Sequence, residues 1–69
     1  MTPAQSRVYG FVARFLSEHG YPPTMREIAE GLDYQSRTTA YHFVQQLITL
    51  GYLEGPVGRR LRLGPRPAP

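Results

Sequence analysis

Three helices closed by a small β-hairpin, mostly α in composition, is the fold class this sequence predicts. Two threonine capping boxes, glycine stops at the helix ends and a switch from helical to alternating apolar spacing after residue 51 carry that prediction. Thr2-Pro3-Ala4-Gln5 opens the first helix: Thr2 caps, Pro3 sits where a missing N–H is harmless, and Gln5 reaches back to close the box. Val8, Phe11, Val12, Phe15 and Leu16 then recur at i, i+3, i+4, i+7 and i+8, one apolar stripe that assigns both phenylalanines to the core. Gly20 and Pro22-Pro23 stop the helix, which gives residues 3–19.

Thr24-Met25-Arg26-Glu27 repeats the capping box. Met25, Ile28, Ala29 and Leu32 form a short apolar face, and Gly31 with Asp33-Tyr34-Gln35 ends a two-turn helix over residues 24–31. Ser36 caps a third helix that runs to Leu50, with Gly51 as its stop. Ala40, Phe43, Val44, Leu47 and Leu50 share one side of it; Thr38, Tyr41, His42, Gln45 and Thr49 share the other. Exposed helix faces usually carry Glu and Lys, which are soluble and good helix formers. A face of Thr, Tyr, His and Gln has poorer propensity than solubility alone selects, which marks it as a contact surface. Tyr52-Leu53-Glu54 and Arg60-Leu61-Arg62-Leu63 alternate as strands about a turn at residues 55–59. Residues 64–69 are Pro-rich and expected to be extended and disordered, so the domain is 1–63 and the tail 64–69.

Size and composition exclude several functions. A chain of 69 residues buries only about 60% of its extended surface, and cannot also wall off a catalytic pocket of about 300 Å³ without emptying its core. No Ser, His or Asp sits in a nucleophile-elbow or triad-like context, and there is no glycine-rich phosphate loop. The expectation is no enzyme, no small-molecule substrate and no cofactor. Without cysteine there are no disulfides or thiolate metal sites, and His42 has no partner at ligand spacing, so no metal is expected. No apolar run reaches the about 18 residues of a membrane span, which leaves a soluble, cytoplasmic protein without a membrane partner as the default. The formal charge is +3, and every basic residue is Arg. Residues 1–54 hold four Arg against five acids, a balance of −1; residues 55–69 hold Arg59, Arg60, Arg62 and Arg66 with no acid, a balance of +4. That asymmetry suits an anionic polymer, or is simply a solvated tail.

A short helix, a turn and a third helix with a polar outer face form a helix-turn-helix, and the hairpin after it makes a three-helix winged helix-turn-helix. Gly20-Tyr21-Pro22-Pro23-Thr24, then Glu27-Ile28-Ala29 and Leu32, resembles the N-terminal DNA-binding domain of the LexA family of SOS-response repressors. Ser36, Leu47, Gly51-Tyr52-Leu53 and Arg60-Leu61-Arg62-Leu63 continue the likeness over residues 2–63. The resemblance implies a DNA-binding transcriptional regulator, of repressor type, in a bacterial or phage cytoplasm. It also implies departures. The family's paired acids in the recognition helix are Tyr41 and His42 here, its asparagine is Thr38, and its basic residue after the capping threonine is Met25. The operator is therefore expected to differ. The family's self-cleaving peptidase domain, which dimerises, has no counterpart in these residues. The tail is then either the start of a linker or the end of a stand-alone regulator, and the free chain is expected to be a monomer or weak homodimer that pairs on DNA.

On double-stranded DNA, the third helix enters the major groove with Ser36, Arg37, Thr38 and Thr39 in its first turn and Tyr41, His42 and Gln45 along the same face. Arg37 reads a guanine or holds a phosphate, and Gln45 suits adenine. Tyr41 touches DNA or packs its ring on the helix surface. Thr24 and Ser36 are caps in any case; Thr24 at a helix N-terminus, with Arg26, also suits a phosphate. Arg59, Arg60 and Arg62 suit phosphates or a narrow minor groove, although Arg62 is equally the outward side of a strand. The rival reading is a winged-helix module that contacts a protein, a repressor or RNA polymerase, through the same tyrosine-bearing face.

Overall fold

Side-chain caps define the helix starts in the computed structural model, which describes residues 1–57 and 60–67. Helix α1 spans Pro3–His19, α2 Met25–Gly31 and α3 Arg37–Leu50. Thr2 and Thr24 each complete a capping box, with Gln5 and Glu27 respectively, and Ser36 caps α3. Gly20 and Gly51 close α1 and α3 in the left-handed conformation, at φ 77° and 88°. Between α2 and α3 that conformation falls to Asp33 (φ 62°), a small polar residue that tolerates it, and not to Gly31, which remains helical. Strands β1 (Leu53–Glu54) and β2 (Arg62–Leu63) pair antiparallel, Leu53 opposite Leu63 and Glu54 opposite Arg62. These elements make a winged helix-turn-helix: α2 and α3 with the turn between them, supported by α1 and followed by the hairpin.

The core is a single cluster to which every helix and the hairpin contribute. Val8 and Val12 come from α1, Ile28 and Ala29 from α2, Ala40, Val44 and Leu47 from α3, and Tyr52, Leu53 and Leu61 from the wing. No polar or charged side chain is buried among the described residues. Two exposed bonds tie α1 across the molecule: Gln5 Nε2 donates to Gln46 Oε1 at 2.9 Å, and Arg7 Nη2 donates to the Leu32 carbonyl at 3.2 Å.

Four expectations are corrected by the packing. Phe15 is not part of the core; its ring lies 4.2 Å from His19 and 5.7 Å from Tyr21 in a cluster on the surface, because the stripe of α1 outruns the short α2. Leu50 is 40% exposed and lines a surface groove with Gln5, Gln45, Gln46 and Thr49. The strands are two residues each. Tyr52 donates its amide to the Leu47 carbonyl at 3.0 Å and so finishes α3, while Arg60 lies in the turn. The described part of the tail is also tied down. Gly64 N donates to Tyr52 O at 2.8 Å, Arg66 N donates to Gly51 O at 3.1 Å, and the Arg66 guanidinium sits 4.7 Å from the centre of the Tyr52 ring.

That seam leaves no room at Gly64, where a Cβ would run into the Gly51 carbonyl oxygen and lie 3.0 Å from Leu53 O. Gly10, exposed within α1, has nothing within 4 Å of the same position. Gly64→Ala should destabilise by about 1–3 kcal/mol, and Gly10→Ala should stabilise by about 0.5–1 kcal/mol. Thermal unfolding checks both; shifts of Tm in the same direction would contradict the packing described.

Candidate nucleic-acid interface

Because Ala40, Val44 and Leu47 hold one side of α3 in the core, the opposite side is turned to solvent. Thr38, Tyr41 and His42 are exposed there and Gln45 is half-buried; the helix contains no acidic residue. Tyr41, 44% exposed, is neither sunk into the helix surface nor loose. Gln45 Nε2 donates to its hydroxyl at 3.0 Å, and its ring meets the His42 ring edge-on at 6.4 Å between centroids.

The first turn of α3 is joined to α2 by two shallow grooves. Arg26, Glu30, Gln35, Ser36, Arg37 and Thr38 line one of them. Met25, Arg37, Thr38 and Tyr41 line the other. Arg26, Ser36, Arg37, Thr38 and Tyr41 are thereby brought onto one continuous surface. Met25, which the sequence placed on an apolar face and at the position of a family basic residue, joins them; its place directly after the Thr24 cap was the available signal. Arg37 is exposed and makes no ion pair with a described residue, whereas Arg26 lies 3.6 Å from Glu30 in an exposed pair.

The two caps differ in quality. Glu27 N donates to Thr24 Oγ1 at 3.0 Å and Thr24 N donates to Glu27 Oε1 at 2.9 Å. This leaves the amides of Met25 and Arg26 as those of the first turn without an acceptor. Thr39 N reaches Ser36 Oγ at only 3.4 Å, and the two hydroxyls are also 3.4 Å apart.

Among the described residues, Arg60 and Arg62 line neither groove. Arg59 lies outside the described residues; Arg60 is exposed, and the neighbouring Leu61 plugs the core. Arg62 is held by its cross-strand partner, with Nη2 donating to Glu54 Oε1 at 2.8 Å. That pairing follows from the register, which residue order alone did not give. Among the described residues no helix is long and apolar enough to cross a membrane. No group of three or more His, Asp or Glu is placed to hold a metal ion there.

Two helices joined by a turn, supported by a third and followed by a hairpin, define the chain as a winged helix-turn-helix domain. The profile of the LexA DNA binding domain family matches residues 1–60. The LexA repressor of Desulfatibacillum aliphaticivorans is 36% identical over 59 residues, covering 86% of this chain and 29% of that protein. That of Syntrophobacter fumaroxidans is 39% identical over 54 residues, 78% of this chain and 26% of that protein. The chain belongs to the LexA DNA-binding domain family, and it spans between about a quarter and three tenths of the length of these relatives.

Replacing each cap by alanine should separate them. Thr24→Ala should cost about 1–2 kcal/mol and Ser36→Ala about 0.5 kcal/mol. Urea unfolding gives the order, and an equal or reversed order would contradict the cap geometry.

Proposed function

We propose that this chain binds double-stranded DNA with sequence preference and regulates transcription, as a repressor. The observation that carries the reading is the outer face of α3: exposed, free of acids, rich in donors and acceptors, and relieved of any part in the core. Such a face matches a major groove, where each base pair presents its own donor and acceptor pattern. Thr38, Tyr41 and His42 are the base-reading residues, with Gln45 behind them. Met25, beside Tyr41, offers an apolar contact to a thymine methyl group. Ser36, Arg37 and Thr39 sit at the end of α3 nearest α2, where Thr24 and Arg26 supply contacts to the phosphate backbone. Arg59 and Arg60 act from the wing on phosphates or a minor groove. The names of the two relatives described above, both LexA repressors, support repression. Tyr41 and His42 in place of paired acids support a site distinct from the family operator, because they offer different donors and acceptors and no charge repelling phosphate.

Binding across a salt series tests this directly. Contacts to four to six phosphates give a log–log slope of affinity against salt of about −4 to −5. Arg60→Ala should flatten the slope by about one unit while weakening all duplexes alike. Arg62→Ala should change it less, since Glu54 already holds that guanidinium. A slope near zero would contradict DNA binding and favour a protein partner.

A further inference from the structure

We propose that Gln45 reads no base itself but positions the Tyr41 phenol, whose one remaining proton selects a hydrogen-bond acceptor at one base pair of the site. The inference rests on the placement of α3 in the major groove proposed above. Its ground is the bond from Gln45 Nε2 to Tyr41 Oη, 3.0 Å long and spanning one turn of the helix. A phenol has one proton to give and lone pairs to accept with. With an N–H donated into the lone-pair side, the proton is left for a partner beyond the helix.

The surroundings favour that division of work. Gln45 is half-buried while Tyr41 is 44% exposed, so the amide lies along the helix behind the ring and the ring stands outward. Gln46 Oε1 accepts from Gln5 Nε2 at 2.9 Å, which draws that amide toward α1. His42 meets the ring edge-on, a second contact on the same side chain. No carboxylate on α3 is present to capture the proton. A tyrosine held in this way has little rotamer freedom left to lose on binding. In the major groove its proton fits guanine O6 or N7, adenine N7 or thymine O4, and finds no acceptor on cytosine. Tyr41 is thus the specificity-determining residue at that one base pair and Gln45 a positioning residue.

The test is selection from random duplexes with the whole chain and four variants, each checked for native circular dichroism. Tyr41→Phe should relax preference at one base pair by about 3- to 10-fold, the scale of a single neutral hydrogen bond. Gln45→Ala should relax the same base pair, and the double variant should lose little more than either alone. Gln45→Glu gives the decisive readout. Its carboxylate accepts the phenol O–H as a hydrogen bond, leaving only lone pairs outward, so preference there should move to cytosine, the base that presents a donor and no acceptor. Added repulsion from phosphate lowers affinity for all duplexes alike and does not mimic that switch. If Gln45→Ala relaxes a different base pair from Tyr41→Phe, or Gln45→Glu keeps the acceptor preference, the proposal is overturned. If the unaltered chain enriches no duplex, the major-groove reading beneath it fails, which is a distinguishable outcome.

Discussion

Burial of one side of α3 is the constraint on which the rest of this small domain depends. Ala40, Val44 and Leu47 are fully buried, and α1, α2 and the wing each place their own apolar residues against that stripe. In a chain of 69 residues the core has few members, so each one matters to stability. The same packing frees the other side of α3 from any folding duty. That freedom is what allows a face of Thr, Tyr and His, whose helix propensity is modest, to persist at no cost to the core.

The arginines show how little a charge count says about available charge. Residues 55–69 look like a free cationic patch, yet Arg62 is paired with Glu54 and Arg66 is wrapped onto the end of α3, Nη1 donating to Leu50 O at 3.2 Å. Arg7 is likewise committed to the Leu32 carbonyl, and Arg14 and Arg26 to acids one helical turn away. Arg37 and Arg60 make no ion pair with a described residue. Exposed pairs are worth only about 0–1 kcal/mol, so they hold Arg26 and Arg62 weakly, but each acid still offsets the charge its arginine offers a phosphate. The Arg66 contact differs, because it closes a backbone seam at Gly51 and Gly64 as well.

The helices were legible because their signals are local. Thr2 with Gln5, Thr24 with Glu27, and Gly20 and Gly51 each act within one turn, and α1 and α3 begin and end where those residues say. The apolar and polar sides of α3 were legible for the same reason, through a fixed angular period. Features that depend on distant neighbours were not. Phe15 has core spacing, but whether anything covers it depends on the length of α2. The Glu54–Arg62 pair requires the strand register, and the docking of Arg66 requires the close approach of Gly64 to Gly51. The Tyr41–Gln45 bond lay one turn apart on a face already singled out; helical spacing allowed it, but not the knowledge that the amide would turn along the helix.

The central claim is that folding and recognition are carried by opposite sides of one helix. The double change Tyr41→Ala, His42→Ala tests it when unfolding and duplex affinity are measured on the same variant. The urea midpoint should stay within about 0.5 kcal/mol of the unaltered chain, as for exposed substitutions generally. Affinity for the selected duplex should fall at least about 10-fold while affinity for unrelated duplexes is kept, as expected when base contacts are lost and phosphate contacts remain. A loss of stability in step with the loss of binding, or a selected-site affinity left unchanged, would contradict the division.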